Sequence, residues 1–440
     1  MDAFATLVLV GARPRKAAVA ALAGALAHDP RTRFFPVRVA APGPELRESV
    51  REALTLGPTV VGWSLSSADL EESSSERARL ARTEGALHVA GGPHPTADPE
   101  GTLRAGFALA ALGEGEQILT GLLARVARGE DPRGPGLAWM EAGRLCTGSR
   151  PPPVDLDEVP PFAPALRRFG PIEISRGCAH ACRFCQTTRL HGGRVRHRSP
   201  RVVAGWVREM ARAGLPDVRF LSPSALGYGS EDGGVALAAL EELLSRAREA
   251  QGAGGRLFLG SFPSEVRPEH VSPEALRLLR RFVANDRIVV GAQSGSDRVL
   301  RACGRGHGVE DVRRAVRLGL EAGFRVQVDL IFGLPGETEE DALATRRLMA
   351  ELGGEGAGIH AHAFLPLPGT AWQGEPPGFL DAASRAELER LAGGGRAFGQ
   401  WRRHEALGRA LAFRHGSRPG EAEPIPDREG RALARSRGPS

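Results

Sequence analysis

Twice along this 440-residue chain, short apolar runs ending in Gly or Ser alternate with stretches rich in Ala, Leu and Arg. No other feature narrows the fold as much. An apolar run of four to eight residues bounded by turn residues reads as a strand covered on both faces. The good helix formers between such runs read as crossover helices. In the first series "TLVLVGA", "FFPVRV", "TVVGWSLS", "LHVAGG" and "FALAALGEGE" are the strand candidates, with helices near residues 14–28, 44–56, 70–84 and 115–128. In the second, from Pro171, they are "PIEIS", "VRFLS", "RLFLGS", "RIVVGAQS", "RVQVDLIFG" and "GIHAHAFLPL". Helices fit at about 200–213, 234–249, 273–282, 309–322 and 338–351. Such a chain is α/β, with parallel sheets between helical layers.

The first series fills residues 1–130 and predicts a Rossmann- or flavodoxin-like domain. Residues 131–168 read as a connector: "GLAWMEAGRLCTG" forms a hairpin about its "EAGR" turn. "RPPPVDLDEVPPFAP" is too rich in Pro for a helix and is expected to cross the surface extended. The second series, residues 169–376, supplies six βα units and predicts a partial (β/α)6 TIM-type barrel. Helices over 381–392 and around Trp401 predict a short helical extension, residues 377–414, and residues 415–440 are expected to be disordered.

Composition excludes several classes. No apolar run approaches a membrane span. The run Phe4 to Val10 is short, lacks preceding basic residues, and reads as a strand rather than a signal peptide. An odd number of cysteines, mostly clustered, does not describe a secreted disulfide framework, so the cytoplasm is expected. The net charge of +6 suggests nucleic acid at first sight. Yet Lys16 is the only lysine among 58 Lys+Arg, and the arginines are scattered among Asp and Glu. That is a solvated surface, and neither nucleic acid nor membrane is an expected partner.

The stretch "RGCAHACRFCQ" places Cys178, Cys182 and Cys185 together. A disulfide would leave one thiol over. Zinc would want a fourth ligand, which His180 or His191 could supply. An iron–sulfur cubane held by three thiolates would keep one iron open to a small molecule. Cys146 and Cys303 lie far away in sequence, in unrelated contexts. The loop follows the strand "PIEIS" and so belongs at the C-terminal face of the barrel, where such folds place their chemistry. CxxxCxxC with an aromatic residue, Phe184, before the last cysteine resembles the radical SAM superfamily. The resemblance implies a [4Fe–4S] cluster whose open iron chelates S-adenosyl-L-methionine (SAM). One electron, from a donor such as flavodoxin or ferredoxin, then breaks a C–S bond and yields a 5′-deoxyadenosyl radical. Two further stretches carry the likeness. "VGAQSGSDRVLRACGRGH" (290–307) is similar to a segment of radical SAM enzymes related to methylthiotransferases, and "VDLIFGLPGETEED" (328–341) to their sixth strand and following turn. By this resemblance Gln293, Ser294 and Ser296 contact ribose or amino-acid groups of SAM. Gly333, Leu334, Pro335 and Gly336 pass along its adenine, Ser222 meets its amino end, and Arg267 pairs with its carboxylate.

The N-terminal domain resembles cobalamin (B12)-binding domains, with departures. Its first strand ends in "GARPRK", without the Asp and His of DxHxxG. Ser64 fits the first position of SxL, but Ser66 replaces the Leu. Gly91 and Gly92 fit the GG that leaves room for the nucleotide tail, and "GGPHPTADPEG" followed by "GEGE" is typical of such domains fused to radical SAM domains. The resemblance implies cobalamin contacting Ser64, Gly91 and Gly92, with no protein histidine on cobalt. His94 follows the fourth strand and is expected to be a loop hydrogen-bonder. Together the halves resemble uncharacterised two-domain members of the cobalamin-dependent radical SAM enzymes. The expected reaction is methyl transfer to an unactivated carbon or phosphorus of an unknown substrate. The alternatives are a radical methylthiotransferase, a SAM-only radical enzyme with a degenerate B12 domain, and a non-catalytic cobalamin sensor. Residues 1–145 contain no cysteine, so a methylthiotransferase's additional N-terminal cluster domain has no counterpart here.

Overall fold

The computed structural model describes residues 4–11, 16–80 and 85–414. The expected helical positions 14–15 and 81–84 and the expected disordered tail lie outside these residues, as does most of the loop after the first strand. Five parallel strands open the chain: β1 (Thr6–Val10), β2 (Val37–Ala40), β3 (Thr59–Ser64), β4 (Ala86–Gly91) and β5 (Leu109–Ala111). They form the sheet order β2-β1-β3-β4-β5. Alternate residues of β1 face opposite layers, as a period of two requires. Leu7 and Leu9 pack on the helices Lys16–His28 and Gly115–Ala127. Val8 and Val10 pack on Pro44–Leu56 and Leu70–Leu80.

The hairpin β6 (Leu137–Glu141) and β7 (Arg144–Thr147) is found, but it adds antiparallel to β5 and makes the sheet seven-stranded. Its two-residue turn carries positive φ at Ala142 and Gly143, the conformation that matches strand twist. The hairpin therefore belongs to the first sheet rather than to the connector. It covers an edge that would otherwise present unpaired backbone groups. Between β4 and β5 lie two short helices, Pro93–Ala97 and Pro99–Arg104, that were not expected. Asp98 caps the second by accepting from Gly101 N at 2.8 Å.

The second series contributes β8 (Ile172–Glu173), β9 (Ser175–Arg176), β10 (Arg196–His197), β11 (Asp217–Leu221), β12 (Arg256–Phe258), β13 (Arg287–Gln293), β14 (Arg325–Phe332), β15 (Gly358–Ala363) and β16 (Ala397–Gly399). Two parallel sheets result, β12-β11-β8 and β13-β14-β15-β16. The segment 264–266 links them, Ser264 bridging to Ser222 and Val266 to Val290. Among the described residues no pairing closes β8 onto β16, so the barrel is open. "PIEIS" is not one strand: β8 pairs with β11, and beyond Ile174 β9 turns to pair antiparallel with β10. The expected helical extension also contributes strand β16, parallel to β15, between its helices Ala382–Gly393 and Trp401–Arg414.

Strand alternation sorts the side chains. Ile288, Val290, Ala292, Val326, Val328, Leu330, Ile359 and Ala361 join the core beneath the helices. Their alternates, among them Gly291, Gln293, Asp329, His360 and His362, therefore face the lumen. The Pro-rich segment does not simply cross the surface. Val154, Leu156 and Phe162 are buried, and the Arg198 guanidinium donates to the carbonyls of Leu156 and Val159. Gly24 permits the close approach, since a Cβ there would lie 2.4 Å from the Phe162 oxygen. No helix among the described residues is long and apolar enough to cross a membrane.

Candidate functional site

β9 delivers the chain into the cysteine loop. Gly177 (φ +92°) is needed at its start, because a Cβ would sit 2.4 Å from the Arg194 oxygen. Backbone bonds then shape the loop: Cys178 N to Gly192 O at 3.2 Å, Cys185 N to Cys182 O at 3.0 Å, and Arg183 N to Cys303 O at 2.9 Å. Two of the three sulfurs have N–H donors: Arg305 Nη1 at 3.5 Å from Cys182 Sγ, and Thr187 N at 3.5 Å from Cys185 Sγ. Such donors favour thiolates and tune iron–sulfur clusters. Burial, and then the neighbouring thiols, push the Cys185 thiol above its ordinary value, so ionisation needs the positive charge that bound iron would bring.

The spacing speaks for a cluster over a single ion. Tetrahedral zinc holds sulfurs about 3.8 Å apart. Among the described residues the only three His, Cys, Asp or Glu ligand atoms within 4.8 Å of one another belong to Asp329, His360 and His362, so the cysteine sulfurs are spread wider. The two histidines differ in their surroundings. His191 turns to Glu114 at 3.5 Å, and His180 packs beside His270 with ring centroids 6.1 Å apart. Cys303 is not in an unrelated context. It lies fully buried beside the loop, in an apolar cluster with Val299, Leu334, Phe364 and Trp372. Burial and the nearby Cys182 hold its thiol up at about 12, which keeps it protonated. Cys146 stands on edge strand β7, away from the loop.

The residues expected to meet SAM fall around this loop in different conditions. Phe184 packs against the same apolar cluster as Leu334, joining the cysteine loop to the turn after β14. In that turn Gly333 and Gly336 both take positive φ, and a Cβ at Gly333 would lie 2.5 Å from Phe379 N. Pro335 stands between them, largely buried. Ser222 shares a small cleft with Cys178, its hydroxyl donating to Ser224 O at 2.8 Å. Gln293 is buried with φ +76°, at a bulge where β13 slips against β14. A bulge with a non-glycine residue in this region marks an aimed side chain. Ser294 and Ser296 are engaged within the protein. Ser294 Oγ lies 3.3 Å from Thr345 Oγ1, while Ser296 Oγ donates to Asp341 at 2.5 Å and caps the helix Asp297–Cys303. Arg267 is buried and tied to Glu269 at 2.6 Å.

Ser64, Gly91 and Gly92 all line one cavity of about 430 Å³. Its first wall is the C-terminal edge of the N-terminal sheet with Leu9, Leu119 and Leu122. Its second is Val159 to Pro161, Glu173, Arg176 and Arg198 from the connector and the barrel. Gly92 (φ +105°) is a cradle position: a Cβ there would lie 2.9 Å from the Leu65 oxygen. A large apolar pocket over two glycines fits the tail of a corrinoid. His94 is buried outside this cavity and bonds Ser67 through Nδ1 at 3.0 Å, a hydrogen-bonder as expected but on the short helix Pro93–Ala97 rather than in a loop.

Sequence reasoning missed the wall of charge beside that cavity. Arg176 Nη2 meets Glu116 at 2.7 Å and Glu173 at 2.6 Å, and Arg176 Nη1 lies 3.5 Å from Glu114. Arg196 also pairs with Glu114. Burial opposes the charge on Glu114, but bonds from His191 and Arg196 and the charge of Arg176 outweigh it and hold the carboxyl well below its ordinary range. The "GEGE" loop of one domain thus grips the two strands that flank the cysteines of the other. Also missed was a polar row in the lumen. Arg305 Nη2 donates to Gly291 O at 2.6 Å while its other nitrogen faces Cys182. Glu265 lies close to Asp329, and His360 Nδ1 is 2.9 Å from Asp329 Oδ1. The period-two spacing of "HAH" in "GIHAHAFLPL" was the available signal, since it puts both rings on one face.

Comparison with known proteins agrees with this layout. The B12 binding domain family matches residues 7–123, and the Radical SAM superfamily matches residues 172–349. A tRNA-2-methylthio-N(6)-dimethylallyladenosine synthase of Desulfosudis oleivorans is 29% identical over 213 residues, 47% of this chain and 43% of that one. An uncharacterised protein of Methanopyrus kandleri is 26% identical over 343 residues, covering 66% and 62%. The chain spans about half the length of the methylthiotransferase-type relatives it matches. The structure of the radical S-adenosylmethionine methyltransferase TsrM from Kitasatospora setae, with cobalamin and [4Fe–4S] cluster bound, superposes with a TM-score of 0.68 at 19% identity, covering 86% of this chain and 75% of that one. At that identity the likeness is one of fold. The chain thus carries a B12-binding domain that leads through a buried Pro-rich strap into a radical SAM domain.

Proposed function

We propose that this protein is a cobalamin-dependent radical SAM enzyme that methylates an unactivated carbon or phosphorus of its substrate. The observation that carries the reading is the 430 Å³ cavity, shared between Ser64, Gly91 and Gly92 of one domain and Glu173 and Arg176 of the other. Arg176 stands two residues before Cys178, so the corrinoid pocket abuts the root of the cluster loop. The likeness to TsrM supports the methyl-transfer element. When bound, the cluster supplies the electron that cleaves SAM to the 5′-deoxyadenosyl radical, and cobalamin supplies the methyl group.

The chain's own residues hold, orient and shield. Cys178, Cys182 and Cys185 would hold the cluster, with Arg305 and Thr187 placed to stabilise two of the thiolates. Phe184 and Leu334 form a dry wall that keeps water from a radical. Gln293 offers its amide to SAM from the bulge. The buried network around Arg176 fixes the two halves at one separation. A flavodoxin- or ferredoxin-type protein is the proposed electron donor, and the cytoplasm the proposed compartment. The similarity to tRNA methylthiotransferases supports a second reading, radical chemistry on SAM without a corrinoid. Anaerobically reconstituted protein decides between them. Uptake of one corrinoid per chain together with reductant-dependent 5′-deoxyadenosine formation supports the first. Formation of 5′-deoxyadenosine without corrinoid affinity supports the second. Absence of both cluster and 5′-deoxyadenosine overturns both.

A further inference from the structure

Apart from Arg305, the polar row of the lumen has no part in the reading above. We propose that Asp329, His360 and His362, with Glu265 beside them, form a binding site for a divalent transition-metal ion, separate from the cysteine loop. The strand pattern builds it. His360 and His362 are two residues apart on β15 and share its lumen face, and the parallel register sets Asp329 of β14 opposite His360. One ligand atom from each lies within 4.8 Å of the others. An ion about 2.0–2.2 Å from nitrogen and oxygen donors holds them roughly 3–4 Å apart, so small side-chain adjustments complete the set.

The rings are held for this geometry. His360 stacks on Phe398 of β16 at 4.6 Å and 14°, and His362 stacks on His404 of the last helix at 5.3 Å and 13°. The two ligand rings meet edge to face, 4.1 Å between centroids. A structural Asp–His pair would need only Asp329 and His360. His362 makes ring contacts but no hydrogen bond among the described residues, although it is fixed from both sides. Electrostatics points the same way. The Glu265 carboxyl adjoins the buried Asp329, and the Arg305 guanidinium lies close to Glu265. Adjacent carboxylates repel, and a dication between the strands relieves that repulsion. Glu265 is accessible to water although protein surrounds most of its carboxyl, so an ion could reach it.

Two imidazoles and a carboxylate select zinc, iron(II), cobalt or nickel over magnesium or calcium. With three protein ligands the ion would keep positions open to the lumen, where an oxygen or nitrogen of a substrate could bind. The test uses full-length protein already loaded with its cluster, exposed to zinc(II) alone, desalted, and analysed for zinc and iron. Wild type is expected to take up one zinc per chain more than the His360→Ala/His362→Ala double variant, with equal iron in both. Asp329→Asn is expected to weaken uptake at least tenfold. His362→Phe preserves the stack on His404, guards against misfolding of the double variant, and should lose the same zinc. Equal zinc in wild type and both variants, or none in any of them, overturns the site and leaves a structural Asp329–His360 pair only.

Discussion

Replacing Arg176 with Ala tests whether the two domains are locked by charge. The guanidinium is 8% exposed and faces Glu116, Glu173 and Glu114 at 2.7, 2.6 and 3.5 Å. Burial alone would lower its pKa, but the charges of Glu173 and Glu116 outweigh that and hold it cationic. Removing it leaves carboxylates in a poorly solvated wall, with Arg196, His191 and Arg198 still nearby. Breaking a buried pair in this way costs about 3–5 kcal/mol, against about 0–1 kcal/mol for a surface pair. Urea denaturation at neutral pH, followed anaerobically by tryptophan fluorescence, should show that loss. Arg176→Met combined with Glu116→Gln should recover part of it, because less charge is stranded. The deficit also depends on pH with a definite sign. The folded-state pKa of Glu114 is depressed, so its stabilisation is present above its ordinary value of 4.5 and is lost as pH falls through and below that range. Wild type and variant should therefore converge in acid. A loss below about 1 kcal/mol at neutral pH, or a deficit that does not shrink in acid, would refute the assignment of this network as a buried lock.

His88 accepts a hydrogen bond from Trp63 Nε1 at 3.2 Å, and burial, with Arg77, holds its pKa down to about 4. Its neutral form stabilises the fold above pH 6.5, and about 2–3 kcal/mol is lost as pH falls from 6.5 towards 4, a slope that His88→Gln should remove in pH-dependent denaturation. Gly91→Val adds bulk to the cavity from a position without positive φ, whereas any substitution at Gly92 also strains the backbone. Corrinoid uptake by absorbance should vanish in Gly91→Val with iron content unchanged. Ser296→Ala should cost about 1–2 kcal/mol in denaturation through the lost cap, while Gln293→Ala should weaken SAM binding in equilibrium dialysis. Cys303→Ala should leave iron content at the wild-type value, and Ala at Cys178, Cys182 or Cys185 should each reduce it.

Local pattern was enough for much of this molecule. Apolar runs of strand length with helix formers between them determine parallel α/β layers wherever they occur, because each strand must be covered on both faces. CxxxCxxC brings its three thiols onto one loop whatever the remainder does, since two and three intervening residues cannot carry them far apart. Gly91 and Gly92 were readable for a similar reason: a missing side chain at a strand end leaves space that depends little on distant residues. Other features depended on residues that meet only after folding. The hairpin joined the first sheet because β5 had an edge to cover, and nothing in "GLAWMEAGRLCTG" names that edge. The stretch after "GGG" became β16 because β15 offered it a partner. Cys303 came beside the cysteine loop across more than a hundred residues, and Glu116 met Arg176 across the domain boundary. The lumen site needs the register that sets Asp329 opposite His360, and register is a relation between strands rather than a property of either. Spacing along the chain determines what neighbours in sequence can hold together, while charge pairs, sheet edges and strand register are settled only when separate segments pack and lose their water.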